Sequence, residues 1–178
     1  MEKLHVSDYY LHPDWKVYIR LVKDTGLASF LIRFGTRSIY SHGEFVVVSK
    51  QGSPIVTLGS MFDPFGLNGV QLRPYHHIKP VVEDWFTAPG IELAYEHILK
   101  NFIGRPYDYL AILGIGLDKT WHDQNDDFCT ETIARGFNET GHPLFNTTGV
   151  QPWRVTPRDI ATSLAVKLFR HVRGPLPY

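Results

Sequence analysis

The sequence predicts one α+β domain over residues 1–178, and three observations carry that reading. Short runs rich in β-branched and aromatic residues alternate along the chain with segments whose apolar residues recur at helical spacing. The length suits one domain with a substantial core, and no internal repeat, low-complexity stretch or linker divides it. Hydrophobic residues make up 43% of the chain and charged residues 20%, an ordinary globular balance.

Taken in order, "WKVYIRLV" (15–22) reads as a strand. "LASFLIRFGTR" (27–37) carries Leu27, Phe30, Leu31 and Phe34 at helical spacing. "SHGEFVVVS" (41–49) is apolar on both faces, which predicts a central strand. After the turn "KQGS", "PIVTLG" (54–59) returns as a strand, and "GVQLRPY" (69–75) is the next. Ile91, Ala94, Tyr95, Ile98, Leu99 and Phe102 form one stripe of the clearest helix. A further helical segment is expected at about 107–116, before the loop "DKTWHDQNDD". A helix over 128–138 then contains the only cysteine, Cys129, with Asp126 or Asp127 as its expected cap. "TPRDIATSL" has threonine, proline and aspartate where a helix start wants them, and "AVKLFRHV" closes the chain as a strand.

Composition excludes several classes. Eighteen basic residues balance eighteen acidic ones, so no basic field over the whole chain advertises nucleic acid or an anionic membrane. A single cysteine rules out an internal disulfide framework and a cysteine-rich zinc knuckle. The first residues, "MEKLHVSDYYLHPDW", form no apolar signal core, and the apolar run "LAILGIGL" (110–117) is too short to span a membrane. A cytoplasmic setting is the default expectation, with specialised export left open.

Cys129 at a helix start sees unpaired N–H groups and the positive end of the helix dipole, both of which favour thiolate. The alternative is that it packs inward with Ile133 as a small hydrophobe. A nucleophilic thiol also needs a base. Among nine histidines, His42 stands out. It leads a central strand, and strand alternation puts Glu44 on the same face, a plausible base and its orienter. Thr57 on the returning strand is the rival orienter. His76 and His77, or His122 in the acidic loop, raise a metal reading, but neither group has zinc or calcium spacing, so no cofactor is expected.

In order, "YSHGEFVVV", "GRPYDY" and "DFCTETI" resemble the circularly permuted NlpC-type papain-like enzymes. The group they look most like is the YiiX/YebB-like hydrolases, related to the lecithin:retinol acyltransferase group. The resemblance spans about residues 15–165 and implies a central antiparallel sheet packed against helices, with a nucleophile at a helix N-terminus. By position, Cys129 resembles the nucleophile, His42 the base and Glu44 the acidic orienter. Tyr107 and Asp108 match the "YD" pair, and Thr130 stands where serine is commoner; these three are weaker candidates for binding or oxyanion support. Gly43 replaces the usual aliphatic residue and leaves room beside the base. The function so implied is a cysteine amidase or endopeptidase acting through an acyl-enzyme, on peptidoglycan peptides among other substrates. An acyl-lipid hydrolase or acyltransferase, and a non-catalytic binding domain, are the alternatives. The expected partner is a peptide or acyl-lipid substrate, with no nucleic acid and no integral membrane segment; the oligomeric state stays open.

Overall fold

A computed structural model describes residues 6–62, 68–108, 127–145 and 150–173. Beyond Tyr107 and Asp108, the helical segment expected at 107–116 lies outside those residues, as do "LAILGIGL" and His122. Six strands, β1 (Lys16–Lys23), β2 (His42–Val48), β3 (Pro54–Met61), β4 (Gly69–Pro74), β5 (Val82–Thr87) and β6 (Lys167–Arg173), form one sheet in the order β4-β3-β2-β1-β5-β6. Every neighbouring pair is antiparallel. Four α-helices among the described residues accompany it: α1 (Leu27–Thr36), α2 (Ile91–Asn101), α3 (Cys129–Glu139) and α4 (Pro157–Thr162). This is the expected α+β architecture. None of the helices among the described residues is long and apolar enough to cross a membrane.

Strand alternation divides the sheet into two unlike faces. Ile19 and Leu21 of β1, Phe45 and Val47 of β2 and Leu58 of β3 face α2 and α3, meeting Tyr95, Ile98, Ile133 and Phe137 in the main core. Each such fully buried side chain contributes about 1.5–3 kcal/mol relative to exposure. The opposite face has a smaller apolar cluster of Tyr18, Val46, Val48, Tyr75 and Trp85. Beside that cluster lie Arg20, Glu44 and Glu83, all buried.

The start of α3 is held differently from the sequence expectation. Its N-cap is Phe128, whose N–H reaches Glu131 Oε2 at 3.5 Å. Asp127 is no cap: its buried carboxylate pairs with Arg105 and Arg135, each at 3.1 Å. The Ser60 hydroxyl donates to the Asp127 carbonyl and so ties this turn to β3. At α4 the expectation holds, since Thr156 caps the helix and its N–H donates to Asp159 Oδ2 at 2.8 Å. One strand escapes the sequence reading. β5 contains Glu83 and Asp84, and its paired carboxylates broke the apolar pattern that marks the other strands.

Gly43 leaves no free room beside the imidazole. A Cβ there would lie 2.9 Å from Leu21 Cδ2, 3.1 Å from Thr130 Cγ2 and 3.2 Å from Ile133 Cδ1. The missing side chain lets α3 lie directly on β2. Overpacking of this kind costs about 1–3 kcal/mol, so Gly43→Val is expected to lower stability by that amount in urea unfolding. An unchanged midpoint would show that α3 does not pack where the structure places it.

Candidate metal centre

β2 opens with His42, and Glu44 follows two residues later on the same face. His42 Nε2 lies 3.5 Å from Glu44 Oε2. The third member comes from elsewhere. β4 ends at Pro74, and the 3₁₀ turn Tyr75–His77 folds back so that His77 Nε2 lies 3.3 Å from the same Glu44 oxygen. The three ligand atoms all fall within 4.8 Å of one another.

The surroundings fix the orientation of each group. His77 Nδ1 lies 2.9 Å from the Pro74 carbonyl oxygen and 3.4 Å from Thr57 Oγ1. Donation from Nδ1 to the carbonyl leaves the Nε2 lone pair facing Glu44, an arrangement typical of metal-ligating imidazoles. Glu44 Oε1 accepts from Arg20 Nη1 at 2.6 Å, which leaves Oε2 for the histidines. Arg20 also donates to Glu83 Oε2 at 3.0 Å, and Glu83 Oε1 accepts from Tyr75 Oη at 2.6 Å and from Trp85 Nε1. The Arg20 guanidinium lies over the Tyr75 ring, 4.5 Å from its centroid.

Burial opposes ionisation of Glu44, yet His77, His42 and Arg20 together hold its carboxyl well below the usual range. It is therefore a carboxylate. Burial also opposes a charged His42, but its contacts with Cys129 and Glu44 outweigh that and push the imidazole up to about 9.

Whether these residues fit a metal can be read from their orphaned atoms. His42 Nε2, Glu44 Oε2 and His77 Nε2 are buried, and none has a hydrogen-bond partner of sound geometry. Leaving such groups unpaired costs about 1–3 kcal/mol each, more when charged. Two nitrogen donors and one carboxylate oxygen suit zinc, whose ligands lie at about 2.0–2.2 Å in tetrahedral array. The edge of that tetrahedron is about 3.3–3.5 Å, and the observed separations from Glu44 Oε2 are 3.3 and 3.5 Å. The residues fit.

Cys129 is the first residue of α3, 2% exposed and packed with Tyr107, Phe128 and Trp153. Burial raises its thiol pKa, but contact with His42 and with the N–H groups of Gly43 and Thr130 more than reverses this. The sulfur therefore lies beside His42. Asp108 is buried close by in sequence to Tyr107, and its N–H bonds the Asp127 carbonyl at 3.5 Å. The Thr130 hydroxyl donates to the Val155 carbonyl. Thr57 proves not to be a rival orienter of His42; it supports His77.

These positions correct the functional expectation. The reading of a cysteine amidase, endopeptidase or acyltransferase required His42 as a base for Cys129 with Glu44 as its orienter. Instead His42 and Glu44 direct Nε2 and Oε2 into a common ligand set with His77. The thiol-protease and cysteine-nucleophile assignments fall with that pairing. The sequence reading raised His77 as a metal candidate but set it aside, because its zinc test looked for local spacing, whereas this set joins a strand to a distant turn.

No protein-family model matches the sequence, and no curated protein matches it. Among solved structures, the chain is similar to the metalloprotein YiiX from Escherichia coli O157:H7. The likeness covers 90% of this chain and 97% of that one, with a TM-score of 0.59 and 15% sequence identity. It shows a shared YiiX-like fold. The sequence resemblance therefore holds for the YiiX-like fold, while the papain-like hydrolase part of it is not carried by this likeness.

Removing Arg20 would strand two buried carboxylates. Breaking a buried pair by removing one partner costs about 3–5 kcal/mol. Arg20→Met is expected to lose that much stability in denaturant unfolding at neutral pH. A loss under about 1 kcal/mol, the scale of an exposed pair, would contradict the buried charge network.

Proposed function

We propose that this protein is a metalloprotein that binds a zinc-class divalent cation through His42, Glu44 and His77. The observation that carries the reading is the convergence of three buried, unpartnered ligand atoms, one from each side chain. The fold likeness to YiiX, itself a metalloprotein, supports it. Two imidazoles and one carboxylate are a ligand set found in catalytic zinc sites, where the ion supplies Lewis-acid chemistry at a coordination position left open.

The chain's own residues have distinct tasks in this reading. Arg20 fixes Glu44 through Oε1 and keeps it ionised without occupying Oε2. Pro74 and Thr57 hold the His77 ring in the orientation that presents Nε2. His42 also lines a cavity of about 120 Å³, bordered by Ser41, Met61, Ile78 and Tyr107. Cys129 packs against His42 outside the three-atom set.

Protein loaded with zinc and freed of excess metal is expected to retain one equivalent by elemental analysis. His77→Ala and Glu44→Gln should each weaken zinc binding by about 100-fold or more, beyond the range typical of second-shell changes. Cys129→Ala should keep the equivalent. Metal retention lost in Cys129→Ala but intact in His77→Ala would refute the proposed ligand set.

A further inference from the structure

The apolar stripe of α1 does not face the core. Phe30 is 54% exposed, Leu31 58% and Phe34 78%, and Ile39 just beyond the helix is 65% exposed. The Phe30 and Phe34 rings stack on the outer surface with centroids 6.3 Å apart. Ser29 and Ile32, on the opposite side of the helix, line the cavity that contains His42. Phe62, 43% exposed, lines the same cavity. The outward apolar face and the cavity mouth therefore lie on two sides of one short helix.

The charge on this element is of one sign. Between Thr25 and Gly43 the sequence has Arg33 and Arg37 and no acidic residue. Arg33 borders the Phe30–Phe34 edge of the apolar sector within the helix and Arg37 follows at the C-cap, cations beside an apolar face as in a helix that lies flat in a membrane interface. Arg33 Nε is bound to the Ser29 carbonyl at 3.2 Å, which directs the guanidinium along the helix flank. Arg37 is the C-cap in left-handed conformation, φ 50°, and is exposed.

We infer that α1 is a docking element for an anionic lipid surface, with Phe30, Leu31, Phe34 and Ile39 entering the interface and Arg33 and Arg37 meeting lipid phosphates. A protein partner would be expected to answer the same apolar face, but two arginines beside it, with no acidic residue between Thr25 and Gly43, favour a negatively charged surface.

The test is co-sedimentation of the full chain with vesicles of phosphatidylcholine alone and of an equimolar mixture with phosphatidylglycerol. The expected result is partitioning onto the anionic vesicles that declines at high salt. The double variant Phe30→Ser/Phe34→Ser should reduce partitioning on the order of tenfold or more. Arg33→Gln/Arg37→Asn, which keeps the apolar face, should abolish the preference for anionic over neutral vesicles and decides the matter if the first variant folds poorly. Absence of partitioning, or partitioning that neither variant alters, would overturn the inference. So would a dimer in sedimentation equilibrium that Phe30→Ser/Phe34→Ser dissociates while vesicles are ignored, since the face would then belong to a second copy.

Discussion

The two oxygens of Glu44 serve opposite masters, and the site depends on that division. Oε1 is bound by Arg20 at 2.6 Å, and Oε2 faces the imidazoles of His42 and His77. The arrangement is set by sheet register, because Arg20 of β1 stands directly opposite Glu44 of β2. Arg20 then reaches Glu83 of β5, so a single guanidinium joins three adjacent strands on their buried face. In a low-dielectric setting these charges cannot be left singly, so Arg20 holds both carboxylates and Glu44 turns its second oxygen to the two imidazoles.

The helix layer makes this possible from the other side of the sheet. Gly43 lets α3 lie flush on β2, so the strand is clamped by Leu21, Thr130 and Ile133 while its alternate residues face the metal centre. Gly136 does the same between α3 and α2, where a Cβ would come within 2.9 Å of Ile98. Two ligands on a clamped central strand and one on a short turn give a rigid pair plus an adjustable third. A site on regular structure holds its geometry better than one built from loops.

Much of the scaffold was legible because its signals are local. β1 to β4, β6 and all four helices follow from periodicity, β-branched runs and the Thr156 cap. β5 was not legible, since Glu83 and Asp84 interrupt its apolar run and only the sheet brings Arg20, Tyr40 and His171 to them. The stripe of α1 shows the converse limit: periodicity finds the helix but not whether its apolar side meets the core or the outside. For the site, period-two spacing paired His42 with Glu44 correctly. His77 was raised as a metal candidate but could not be joined to that pair, because only the fold closes the distance between β2 and the turn after β4. Cys129 misled for a physical reason. A thiol at a helix start has the local features of a nucleophile whether or not the neighbouring imidazole serves it.

The proximity of sulfur to His42 also makes the central claim sharply testable. X-ray absorption at the zinc edge, on the zinc-loaded protein, reads the identity of the ligand atoms directly. The account predicts nitrogen and oxygen scatterers at about 2.0–2.2 Å, with an imidazole signature and no sulfur. A sulfur shell at about 2.3 Å, or a spectrum of zinc ligated by water alone, would contradict it.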